Sequence, residues 1–208
     1  MKARTGMHLD SRLSASAIAM LLLCGCTPPE YPAYQLNPDP KDPLEVMIKL
    51  HDAPGDLRFS DASTTYRIIN PSCLPETNNF EGVQHAPQTH TVRHQLRKVD
   101  ASTYSFTAYR DQMKSSEYYG RGICNWKLTL AFSHPDLPSS PNRIYFTIAA
   151  TPKELQQKGG LTTYFRIDRT SKSIDGAPRN AQDFTKERFE MLPESEKANI
   201  FSMTIKSP

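Results

Sequence analysis

From residue 44 onward, apolar and polar side chains alternate over short runs rather than recurring at helical spacing. The pattern is clearest in 103–110, where Tyr104, Phe106 and Ala108 oppose Ser105, Thr107 and Tyr109, and in 123–132, where Cys124, Trp126, Leu128 and Leu130 oppose Asn125, Lys127 and Thr129. A period of two places one face of each segment against a core and the other toward water. Enrichment in β-branched and aromatic residues predicts further strands over 46–50, 65–69, 91–99, 143–149, 161–167 and 200–205. Breaks fall at Asn70-Pro71, Asp100-Ala101-Ser102, residues 134–142 and Lys158-Gly159-Gly160. Two pieces depart from the pattern and predict short helices: 152–158, capped by Thr151, and 181–191, with Phe184 and Phe189 on a partly apolar face. The expected fold is mainly β, a β-sandwich-like single domain with one or two short helices.

The N-terminus reads differently. Lys2, Arg4 and Arg12 precede an apolar run through Ala17-Ile18-Ala19-Met20-Leu21-Leu22-Leu23, which ends at Leu23-Cys24-Gly25-Cys26. This is the build of an export leader, and its end reads as a lipobox: Leu23 three positions before the cut, small Gly25 just before it, and Cys26 as the thiol that accepts a diacylglyceryl group. The apolar run, about eight residues, is too short to span a bilayer, which needs roughly 20. An ordinary secretory signal cut elsewhere, or a buried core helix, are the rival readings. Residues 1–25 are thus expected to be a lipoprotein signal peptide, with Cys24 lost with it and Cys26 lipidated. Two or three acyl chains anchor stably where one does not. Thr27, rather than an aspartate, follows the acylated cysteine and favours the outer membrane, facing the periplasm, over the inner membrane. Pro28, Pro29, Pro32, Pro38, Pro40 and Pro43 then predict a stiff, solvated tether up to Pro43, reaching up to roughly 50 Å. Residues 26–43 are the lipidated cysteine and tether, and 44–208 the β-rich periplasmic domain.

The formal charge of +3 falls to +1 once residues 1–25, with Lys2, Arg4, Arg12 and Asp10, are removed. A nearly neutral mature chain without clustered cations gives no case for nucleic acid. About 165 residues after the tether suit one domain with one core. Cys73 and Cys124 remain beside the lipidated cysteine, and in an oxidising compartment such a pair is most simply a disulfide. Closing a loop of about 50 residues stabilises a fold by roughly 4 kcal/mol in the chain-entropy view. A metal site at the two sulfurs, the competing reading, needs neighbouring histidines or acids that the spacing does not supply.

Candidate chemistry is sparse. No Gly-x-Ser-x-Gly elbow and no phosphate-cradling glycine loop is present. Beyond His8, the histidines are His51, His85, His90, His94 and His134. His90 and His94 have the spacing of a helical metal pair, but Thr91-Val92-Arg93 favours a strand, which separates them by roughly 13 Å. Asp168, Asp175, Asp183, Glu187 and Glu190 are interspersed with Arg166, Arg169, Lys172, Arg179, Lys186 and Arg188, the composition of a solvated face rather than a calcium loop. The expectation is a protein that is not an enzyme and takes no metal or cofactor.

The densest local pattern is Tyr118-Tyr119-Gly120-Arg121-Gly122-Ile123-Cys124-Asn125-Trp126. It reads either as a hairpin or bulge feeding a stapled core strand, with Trp126 packed beside the disulfide, or as a loop presenting Tyr118, Tyr119 and Arg121 as partner contacts, since Tyr and Arg dominate interface hot spots. Together with Tyr66-Arg67-Ile68-Ile69-Asn70-Pro71-Ser72-Cys73-Leu74-Pro75, it resembles a pattern in small proteobacterial lipoproteins encoded beside type VI secretion effectors, several of which are immunity proteins for antibacterial phospholipases. The likeness covers residues 66–132 and brings no catalytic residue with it. It implies a membrane-anchored immunity lipoprotein whose partner is a secreted effector, a lipase, captured in the periplasm. The rival expectations are an accessory structural lipoprotein of an envelope or secretion assembly, and an envelope enzyme or ligand carrier with a deep polar pocket.

Overall fold

The computed structural model describes residues 32–55, 57–75, 88–138, 144–167 and 179–208. The signal peptide and Cys26 lie outside the described residues, as do His85, Asp168, Asp175, Arg169 and Lys172. The elements run β1 (Pro43–His51), β2 (Ala62–Ile68), a 3-10 turn (Pro71–Cys73), β3 (Thr89–His94), β4 (Arg97–Lys98), β5 (Thr103–Tyr109), β6 (Trp126–Ser133), β7 (Asp136–Leu137), β8 (Ile144–Tyr145), β9 (Ile148–Ala150), α1 (Pro152–Leu155), β10 (Leu161–Arg166), β11 (Arg179–Asn180), β12 (Asp183–Phe184), α2 (Lys186–Glu190), α3 (Glu194–Lys197) and β13 (Ile200–Lys206).

One antiparallel sheet has the order β12-β10-β13-β1-β5-β4 and a second has the order β3-β2-β6-β9. A small third sheet, β11-β8-β7, contains the parallel pair β8 and β11. Leu44, Val46, Ile48, Phe106, Ala108, Phe201, Met203 and Ile205 of the first sheet share a core with Ala62, Tyr66, Leu128, Ala131, Ile148 and Ala150 of the second. The expected sandwich is therefore what the alternation builds. Tyr66, fully buried on β2, donates its hydroxyl to the Tyr109 carbonyl of β5 at 2.6 Å and so bonds one sheet to the other. His94 of β3 stacks on Phe106 of β5 with ring centroids 5.4 Å apart.

Strands end where the chain changes sheets. The expected segment 91–99 is two strands, because β3 pairs with β2 and β4 with β5. The expected segment 143–149 likewise holds two strands among its described residues, β8 and the start of β9. In β6 the alternation changes phase: Tyr66 pairs with Leu128 but Thr65 with Leu130, so Thr129 is an extra residue, and its hydroxyl donates to the Thr65 carbonyl at 2.9 Å. This bulge turns Leu130 off the core face and puts Ala131 and Ser133 on it. Helix α1 follows Thr151 as expected, with a capping box between Thr151 and Glu154. The expected helix 181–191 is shorter, since Phe184 pairs with Tyr164 in the sheet and α2 starts after the Thr185 cap.

The end of the proline-rich segment differs from a solvated tether. The Asn37 amide donates to the Gln112 carbonyl, the Lys114 amide to the Gln35 carbonyl, and Leu36 bridges Met113, so residues 35–37 run antiparallel to 112–114. The Asp111 carboxylate accepts the amides of Lys41 at 2.8 Å and Asp42 at 3.1 Å, which holds its pKa below the usual carboxylate range. This strap prolongs the β1–β5 ladder, and residues 34–208 pack as one unit. Proline restricts backbone donors, but Gln35, Asn37, Lys41 and Asp42 supply the ones used. Among the described residues no helix is long and apolar enough to cross a membrane.

Candidate partner-binding surface

Beyond Ile68, the β2–β6 ladder is prolonged by side chains. The Ile69 amide donates to the Asn125 carbonyl at 2.9 Å. The Asn70 side chain then acts in place of a peptide group, donating through Nδ2 to the Ile123 carbonyl at 2.8 Å and accepting the Asn125 amide on Oδ1 at 2.7 Å. Pro71 opens the 3-10 turn that brings Cys73 to Cys124, and the expected disulfide is formed, with a Cα separation of 5.3 Å and both cysteines buried. The Cys124 amide donates to the Ser116 carbonyl at 2.9 Å, closing a loop over 117–123. That loop turns through Gly120 and Gly122, whose φ values of 67° and 95° favour glycine.

The structure redistributes the expected contact residues. Tyr118 is half-buried, its hydroxyl donating to the Lys114 carbonyl at 2.6 Å and accepting the Gln35 amide at 3.3 Å. Tyr119 is also half-buried, and its hydroxyl pairs with that of Tyr34. The Tyr34 ring stands edge-on to Trp126, Tyr118 and His90, at centroid distances of 4.8, 5.2 and 6.1 Å. Both tyrosines are thus spent on holding the strap, not displayed as exposed contacts. Trp126 packs by the disulfide as expected, in a cluster with Ile68, Cys73 and Cys124. Its Nε1 is buried with no acceptor among the described residues.

Arg121 is exposed, and the apolar contacts come from residues not singled out in the sequence: Ile69, 54% exposed, and Ile123, 60% exposed. Both have odd numbers in segments whose even positions Ile68 and Cys124 face inward, so the alternation itself pointed to them. Ile69 pairs with Asn125 and the Asn70 side chain holds the Ile123 carbonyl, so both isoleucines belong to this end of the ladder. The surface at this end is a rigid, disulfide-fixed patch of two isoleucines with Arg121 alongside in sequence.

Elsewhere several titratable groups are occupied structurally. His90 and His94 lie on a strand, and His94 Nε2 meets Thr64 Oγ1 at 2.7 Å while burial pushes its pKa down. His51 bonds Thr204 and His134 bonds Thr147. Lys186 pairs with Glu190 along α2, and Glu187 stands in its first turn. Among the described residues no group of three His, Cys, Asp or Glu side chains converges to hold a metal. A cleft of about 440 Å³ between Thr147, Leu161, Thr163, Phe165 and Asn180 has Asp183 as its one titratable group among the described residues. A second, of about 300 Å³, lies by Asp52, Lys98 and Tyr104. No protein-family profile, curated protein or solved structure matches this chain.

Proposed function

We propose that this protein is a membrane-anchored periplasmic immunity lipoprotein that binds and inhibits a type VI secretion antibacterial effector, a phospholipase, by covering its substrate entrance. The observation that carries the reading is the disulfide-fixed end of the sandwich, where Ile69 and Ile123 stay exposed beside a loop locked by Cys73–Cys124 and Asn70. Large apolar side chains left in water on a rigid frame suit capture of a partner, because little ordering is lost on binding. The two cysteine-centred motifs that resemble effector-associated lipoproteins build this same end. The lipobox ending at Cys26 fits the reading: lipidation there would confine the inhibitor at the membrane and raise its effective concentration where a lipase acts.

The test is survival. Cells receiving the effector encoded beside this gene in their periplasm are expected to grow when the full chain is co-expressed, and to grow less well with Cys26→Ser. Continued killing despite verified expression and export of the full chain contradicts the proposal.

A further inference from the structure

The outward face of the β3-β2-β6-β9 sheet has a one-sided charge distribution. The even-numbered residues of β2 and β3 point to the core and the odd ones outward: Thr65 and Arg67 on β2, with Ser63 on the same side but buried, Thr89, Thr91 and Arg93 on β3, and Lys127 beside them on β6. Arg67 stands directly opposite Lys127 in the register. Like charges directly opposite destabilise a sheet, and no acid occupies an outward position of β2, β3 or β6 to relieve the pair. Arg67, Arg93 and Lys127 are exposed, and none has an ion-pair partner among the described residues. Asp61 and Glu117 lie beyond the strand ends, their carboxylates accepting from the Ser60 hydroxyl and the Gly122 amide. In the other sheet two cations are answered by acids, Arg97 by Glu45 across β4, β5 and β1, and Arg166 by Glu196 of α3.

We infer that this face docks an acidic surface of a protein partner. Carboxylates of the partner meet the Arg67–Lys127 pair and, roughly 13 Å along β2 by strand rise, Arg93, which stands opposite Ser63. Hydroxyls fill the space between the cations, with Thr65 and Thr91 3.3 Å apart across the strands. Ile69 and Ile123 continue the outward face past the end of the ladder and supply an apolar contact at its margin. A protein fits this face better than a bilayer, since membrane interfaces are anchored by Trp and Tyr and the nearby Trp126, Tyr118 and Tyr34 rings are packed on one another. The inference rests on the reading of this protein as a binding module and adds the chemistry of what it binds.

The experiment uses the full chain exported with Cys26→Ser, isotope-labelled and titrated at low salt with polyglutamate, polylysine and phosphatidylglycerol vesicles while backbone amide resonances are followed. Polyglutamate is expected to shift amides of 63–67, 89–93 and 123–129, the shifts fading at high salt as charges are screened, and polylysine to shift none. Arg67→Glu with Lys127→Glu is expected to weaken polyglutamate binding at least tenfold with the rest of the spectrum retained, whereas Lys49→Glu with Lys158→Glu, at exposed sites elsewhere, leaves it unchanged. Equal weakening by both double variants, absence of shifts on this face, or a response to vesicles alone overturns the inference. No effector enters this titration, so its failure leaves the immunity reading standing, and failure of the survival test leaves the acidic-partner face standing.

Discussion

Replacing Tyr34 by alanine should undo the strap and expose the end of the sandwich. The ring makes edge-on contacts with Trp126, Tyr118 and His90, and the hydroxyl meets Gln88 at 3.1 Å and the Tyr119 hydroxyl. An aromatic pair contributes about 0.5–1.5 kcal/mol beyond its buried area, and each hydroxyl bond about 1 kcal/mol. Removal also opens Trp126 Nε1 to water, relieving part of an unpaired-donor cost of about 1–3 kcal/mol. The net expectation is a loss of about 2–3 kcal/mol, or a midpoint lower by about 4–12 °C for a domain of this size. Tyr34→Phe keeps the ring and loses only the hydroxyl bonds, about 1–2 kcal/mol. Trp126 is the chain's only tryptophan, so its emission reports this site alone. Tyr34→Ala should red-shift it and raise quenching by acrylamide, while Tyr34→Phe leaves it near the native value. Unchanged emission, quenching and midpoint in Tyr34→Ala would mean that the segment is a free tether, and the account of residues 34–42 would be wrong.

Three other outcomes are expected. Cys73→Ala with Cys124→Ala frees a loop with a sequence separation of 51, costing about 4 kcal/mol if chain entropy dominates; denaturant titration should show it, and an unchanged midpoint contradicts the stapled end. Gly160→Ala should cost about 2 kcal/mol or more, because φ is +73° and an added Cβ meets the Ile205 carbonyl oxygen at 2.4 Å, whereas Gly120→Ala, at φ +67° in open space, should cost only about 1–2 kcal/mol; thermal melts that rank them in reverse refute the packing of Gly160 against β13. Burial lowers the His94 pKa from its ordinary 6.5, so the unfolded chain binds the proton more readily. The stability this neutral histidine contributes is present above pH 6.5 and is lost as pH falls below it toward the folded value. Stability curves from pH 8 to 5 should steepen on the acid side in the wild type and flatten in His94→Gln; identical slopes contradict the burial argument.

Strands were legible where a half-buried segment writes its exposure into the sequence at period two, as in β1 and β13; β5 was legible from its alternation too, although Thr103 and Ser105 on its polar face are buried. So were the Thr151 cap, whose chemistry is local, and the Cys73–Cys124 pair. The two-residue strands β7, β11 and β12 were not, since their pairing depends on distant partners. Nor was the Thr129 bulge, because an inserted residue leaves the local composition β-like while moving Leu130 to the other face. Proline density suggested a solvated tether and hid the role of Tyr34, whose partners lie at residues 88, 90, 118, 119 and 126. For the candidate surface, residue type drew attention to Tyr118 and Tyr119 and away from Ile69 and Ile123, whose parity carried the signal that they stay in water. The like-charge pair of Arg67 and Lys127 becomes visible only with the register.

The most direct measurement is a titration of the purified product of the gene beside this one, which the proposal makes a phospholipase, with the full chain carrying Cys26→Ser, followed by lipid hydrolysis. Hydrolysis is expected to fall to background at a fixed molar ratio, with Ile69→Asp and Ile123→Asp each weakening inhibition. Hydrolysis that continues unchanged at a large molar excess of this protein contradicts the account.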